Sequence, residues 1–92
     1  MLFVVHCLDK PGALDTRLAN HADHRAYLET APATIVMSGP LVEDDGETMK
    51  GSFFLVDAPN RDAVATFNRN DPFFKAGIWA SINIDAFLKR VG

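Results

Sequence analysis

Two titratable residues far apart in the chain are of types suited to moving a proton. His24 lies inside a helical pattern, and Asp71 heads the run Asp71-Pro72-Phe73-Phe74. Histidine is the side chain that ordinarily changes charge near neutral pH, and a carboxylate on one ring nitrogen fixes which nitrogen carries the proton. If the fold joins them, the pair is a general base and general acid. Each residue also has a plainer account. His24 can be a half-exposed helix histidine, and Asp followed by Pro reads as a helix N-cap and its first position. Capping does not explain why two phenylalanines follow. Phe73 and Phe74 beside a carboxylate are expected to form a partly dry wall, where a charge acts strongly on a neighbouring imidazole.

The other candidates are weaker. Arg17 precedes His24 by seven residues, two helical turns, so both side chains are expected on one flank with His21 and Leu28. Ser38-Gly39-Pro40 and Gly51-Ser52 place a small residue beside a hydroxyl, which allows close backbone approach and offers donors to a substrate oxygen; turn or bulge chemistry explains them as well. His21 and His24 with Asp71 could reach a metal, but an i, i+3 His pair without a partner motif is unspecific, and no metal site is assigned. His6 and Cys7 lie in an apolar strand and read as core or interface residues. Cys7 has no basic neighbour in sequence to activate it.

The elements that must position these residues follow from patterning. Leu2–Leu8 is a strand stopped by Pro11-Gly12. Ala13 to about Thr30 reads as one helix, with Leu14, Leu18, Ala22, Arg25 and Leu28 as its stripe and Pro32 as its end. Thr34–Ser38 is a second strand leading into Gly39–Val42, Asp45-Gly46 a turn, and Gly51–Val56 a third strand. Asn60 caps a second helix that turns Ala63, Val64 and Phe67 inward; a short turn after Asp71-Pro72 closes at Gly77, and Ile78–Ile84 is the fourth strand. The order β-α-β-β-α-β is the ferredoxin-like arrangement: α+β, a four-stranded antiparallel sheet with helices on one face, and a single domain over residues 1–92. Two helices cover one sheet face, yet Leu2–Leu8 and Phe53–Val56 are apolar on both. The second face is expected to be buried by another copy of the chain, a homodimer packed sheet on sheet.

Bulk properties exclude several classes. With 9 basic and 12 acidic residues and a net charge of −3, the chain has no basic stripe for nucleic acid. No apolar run approaches the ~20 residues of a spanning helix, so no membrane role is expected. The absence of a signal-peptide pattern and a single cysteine fit a cytoplasmic protein.

Taken in order, Arg17, His24-Arg25-Ala26-Tyr27-Leu28, Ser38-Gly39-Pro40-Leu41, Gly51-Ser52 and Asp71-Pro72-Phe73-Phe74-Lys75-Ala76-Gly77 resemble the YCII-related domain family (YciI-like proteins). The resemblance implies the dimeric α/β-barrel superfamily and a His/Asp centre that maps onto His24 and Asp71. His6 has no counterpart in the family pattern. The family includes a dehydrochlorinase acting on a chlorinated hydroxyquinol, and the superfamily includes muconolactone isomerase. Both imply proton transfer without a cofactor on a small oxygenated ring, a lyase- or isomerase-like reaction. His24 and Asp71 are then the expected catalytic residues, with Arg17, Ser38, Gly39, Phe73 and Phe74 around the substrate. The alternative is a non-catalytic ligand-binding or regulatory dimer with a structural His–Asp pair.

Overall fold

In the computed structural model, which describes residues 1–92, strand β1 (Leu2–Asp9) lies between β3 (Met49–Asp57) and β4 (Trp79–Phe87). Strand β2 (Thr34–Val42) pairs outside β3, giving the order β2-β3-β1-β4 with every pairing antiparallel. The apolar β1 and β3 are thus the two strands with neighbours on both sides, while Pro40, which cannot donate to a ladder, sits on the edge strand β2. Helices α1 (Leu14–Ala19) and α2 (His21–Thr30) fill the first crossover; α3 (Arg61–Arg69) and the single turn α4 (Pro72–Lys75) fill the second. The expected ferredoxin-like α+β fold is therefore the observed one, with strands that run a few residues longer than their apolar runs.

Register explains how the core is built. On one face Phe3, Val5 and Cys7 stand beside Val56, Phe54 and Ser52, and all six are buried. Val64 and Phe67 of α3 and Phe73 of α4 complete this core. On the other face Val4, His6 and Leu8 stand beside Leu55, Phe53 and Gly51, and beside Asp85, Asn83 and Ser81 of β4. Gly51 is required where it is: a side chain there would collide with the Cys7 carbonyl.

The first helix departs from expectation in two ways. It breaks at Asn20 (φ −104°, ψ 4°), where the side-chain amide donates to the Thr16 carbonyl at 2.9 Å. Asparagine competes for backbone groups in this way, which is why it sits poorly inside helices. The first part of its apolar stripe also faces outward, with Leu14 40% and Leu18 52% exposed, while Leu28 packs against the core. The buried residues of the segment are instead Arg17 and His24. Polar groups can take the inner face because each finds a carboxylate there, described next.

Candidate proton-transfer site

Asp71 ends the α3–α4 connection in extended conformation (φ −67°, ψ 132°), and its Oδ1 accepts the Phe73 N–H at 2.8 Å. Pro72 follows as the first helical residue, needing no such acceptor. Gly77, at φ +70°, lies just beyond the last turn, where a side chain would be strained. This one-turn helix fixes a fully buried carboxylate under α2. His24 meets it through Nδ1, 2.8 Å from Oδ1 and 2.9 Å from Oδ2. An ionised carboxylate only accepts, so Nδ1 carries the proton and donates. His24 also stacks on Phe73 with ring centres 3.9 Å apart and planes 9° apart, and Phe54 meets it edge-on at 6.0 Å. The imidazole is thus held by one hydrogen-bonded edge and one covered face.

Its other nitrogen, Nε2, makes no hydrogen bond within the protein. The sealed side-chain atoms without a partner are Asn68 Nδ2 and Trp79 Nε1, so Nε2 is not among them. His24 lines a cavity of about 250 Å³ between α1–α2 and strands β2–β3, together with Arg17, His21, Arg25, Ser38, and Ser52. Gly39, Pro40, Leu28, Met49 and Phe54 complete the lining. Asp71 is not part of that wall and stands behind the imidazole.

A buried ion pair adjoins the His24–Asp71 pair. Arg17 Nε donates to Asp9 Oδ2 at 2.7 Å, and Nη2 donates to Asp9 Oδ1 and to Ser52 Oγ, both at 2.8 Å. This fork-to-carboxylate geometry is the strong form of the interaction. The guanidinium also sits 4.7 Å from the centre of the Phe73 ring, a cation–π contact. Nη1 is left without a protein partner.

The structure brings His24 and Asp71 together and places Arg17, Ser38 and Gly39 at one cavity. It separates the two phenylalanines. Phe73 backs His24 from behind the cavity wall, while Phe74 is 37% exposed and lines none of it. In a helix of 3.6 residues per turn neighbours point about 100° apart, so only one of an adjacent pair can face the core. Phe74 is therefore not a wall of the site. His21 is exposed and does not join His24 and Asp71, and no group of three His, Cys, Asp or Glu side chains is assembled for a metal.

Asp9 is the residue that sequence reading missed. It closes β1 just before Pro11-Gly12 and is nearly buried. An arginine on the inner face demands such a partner, but Asp15 lies closer in sequence. Only the fold distinguishes them. Cys7 is fully buried beneath the site, and loss of solvation pushes its thiol up to about 12. Burial, with the Asp71 charge nearby, also raises Tyr27, whose hydroxyl donates to the Phe67 carbonyl at 2.7 Å.

No helix is long and apolar enough to cross a membrane. Among solved structures, the chain is similar to 5-chloro-2-hydroxyhydroquinone dehydrochlorinase (TftG) from Burkholderia phenoliruptrix AC1100, in complex with 2,5-dihydroxybenzoquinone. The two are 40% identical with a TM-score of 0.86, over 96% of this chain and 94% of that one. An antibiotic biosynthesis monooxygenase (15% identity, TM-score 0.58) and a NIPSNAP domain protein from Burkholderia xenovorans (15%, 0.55) share the fold alone. An uncharacterized protein of Haemophilus influenzae is 27% identical over 97% of this chain and 98% of its own length. The model of the YCII-related domain matches residues 1–88, and the chain belongs to that family.

Proposed function

We propose that this chain is an enzyme of the YciI-like type that moves protons on a small oxygenated ring compound, with His24 as base and then acid. The observation that carries this reading is the asymmetry of the imidazole: Nδ1 is clamped on a fully buried carboxylate, while Nε2 has no partner in a residue that lines a cavity. Asp71 holds the tautomer with the lone pair on Nε2 and supplies the counter-charge when the proton arrives. Arg17 Nη1 is the donor for a substrate oxygen, with Ser38 and the Gly39 backbone on the rim. The chemistry is proposed to need no cofactor.

The similarity to a dehydrochlorinase supports elimination of hydrogen chloride as the reaction. On a chlorinated hydroxylated ring, His24 first relays a hydroxyl proton to the chlorine-bearing carbon, giving a keto tautomer that carries hydrogen and chlorine on one carbon. Nε2 takes a hydroxyl proton, the oxygen becomes a carbonyl, the adjacent C=C pair shifts one bond, and chloride leaves with the C–Cl pair. The products are a hydroxyquinone and HCl, with no oxidant required. His24 then returns its proton to water.

We also propose that the working form is a homodimer through the open sheet face, where Val4, Leu8, Phe53 and Leu55 gather around His6. The test of the enzyme reading is chloride release from 5-chloro-2-hydroxyhydroquinone and related chlorinated hydroxyquinols. Wild-type protein is expected to release chloride and a folded His24→Ala variant is not. Full activity in that variant overturns the role of His24.

The non-catalytic reading, a ligand-binding dimer, draws on the double duty of Asp71, which caps α4 and ties it to α2. It predicts a large loss of stability in His24→Ala and no chloride release by the wild type.

A further inference from the structure

We infer that the site takes its substrate as an anion, and that Arg25 is the residue that recognises the charge. This rests on the cavity being the substrate site proposed above. The ionisable side chains on its wall are Arg17, His21, His24 and Arg25, and none of its eleven lining residues is a carboxylate. Strands β2 and β3 contribute Ser38, Gly39, Pro40, Met49, Ser52 and Phe54, all uncharged. The nearby Lys50 does not line the cavity and lies 3.6 Å from Glu43.

The charge on Arg17 is already matched by Asp9. Arg25 is different: it is exposed and makes neither an ion pair nor a hydrogen bond within the protein. Glu29, one turn further along α2, borders a shallow groove with Arg25 but does not come within ion-pair distance of it. Arg25 is thus the one unmatched guanidinium at the cavity. It directly follows His24, so it stands at the rim while the imidazole faces inward.

A volume of about 250 Å³ falls below the ~300–1,000 Å³ of sites for drug-sized ligands, which suits a single ring. Such a ring must present an O–H or C–H to His24 and a negatively charged oxygen to Arg25. Ionised phenols, hydroxyquinones and ring carboxylates meet both demands; neutral ethers and unsubstituted rings do not.

The test uses full-length protein and calorimetry with 2,5-dihydroxybenzoquinone, an anion at neutral pH, against its uncharged 2,5-dimethoxy ether. Wild-type protein is expected to bind the anion at least tenfold more tightly than the ether, and less tightly as salt is added. Arg25→Gln is expected to weaken the anion roughly tenfold or more without changing the ether, and Arg25→Lys to recover part of the loss. No binding of the anion by wild type, equal binding of anion and ether, or anion binding unchanged in Arg25→Gln would each overturn the inference. His24→Gln separates it from the enzyme reading. Arg25-dependent binding with full turnover in His24→Gln sinks proton transfer by His24 alone, whereas a dead His24→Gln with Arg25-independent binding sinks only the anion inference.

Discussion

The guanidinium of Arg17 lies 4.7 Å from the centre of the Phe73 ring, and the same ring is stacked on His24 at 3.9 Å. A buried ion pair, Asp9–Arg17, and a buried hydrogen-bonded pair, Asp71–His24, therefore meet at one aromatic side chain. The arrangement joins the end of β1, both halves of the broken first helix and, from 47 residues beyond His24, the start of α4, so the orientation of the imidazole is set by local and distant segments together.

The first consequence concerns Asp9. Removing it leaves the Arg17 cation buried without its counter-charge, which costs about 3–5 kcal/mol in comparable buried pairs. Asp9→Ala should lower the urea midpoint strongly, whereas Asp15→Ala, at an exposed position, should change it little. Equal effects of the two substitutions would contradict the pairing.

Asp71→Asn preserves size but replaces an acceptor pair by an amide whose NH₂ cannot receive a proton from Nδ1. Turnover is expected to fall by about 10²–10⁴-fold, the range associated with a positioned acid–base group and the loss of its correct tautomer. Kinetics on a folded variant check this. A rate within twofold of wild type would remove Asp71 from the mechanism.

Alkaline stability should carry the signature of Cys7. Its thiol is raised from 9.0 to about 12 by burial, so folding favours the protonated form. The stabilisation is complete below 9.0 and is lost as pH rises towards about 12, because the unfolded chain gives up its proton first. Tyr27, shifted in the same direction, adds to the loss above its ordinary value. Cys7→Ala should flatten the fall of melting temperature across this window. The native thiol should also resist alkylation at neutral pH and react on unfolding.

For the sheet face, Leu55→Glu places a charge among Val4, Phe53 and Met37 without touching the helix-side core. Sedimentation should then report a folded monomer, against the dimer expected of the wild type. A wild-type monomer, or a variant that still dimerises, contradicts association through this face.

Much of the architecture was legible because strand alternation, the Asp45-Gly46 turn, the Asn60 cap and the Asp71-Pro72 start are local signals. Asn60 does accept the Ala63 N–H, at 2.9 Å. The pairing of His24 with Asp71 was legible as a possibility, since both stood out against their surroundings. The inner face of the first helix was not legible, because apolar periodicity assigns Leu14 and Leu18 inward. Arg17 and His24 replace them only through partners that arrive from β1 and α4. Phe74 misled for a similar reason, because an apolar type does not reveal which side of a one-turn helix it occupies.

The central claim is that His24, held by Asp71, moves protons on a hydroxylated ring. It is tested most directly by following exchange of the ring C–H protons of hydroxyhydroquinone for deuterium in heavy water by NMR. Wild-type protein should accelerate the exchange and His24→Ala should return it to the buffer rate while remaining folded. Exchange at the buffer rate with wild-type protein, or undiminished exchange with His24→Ala, would contradict the account.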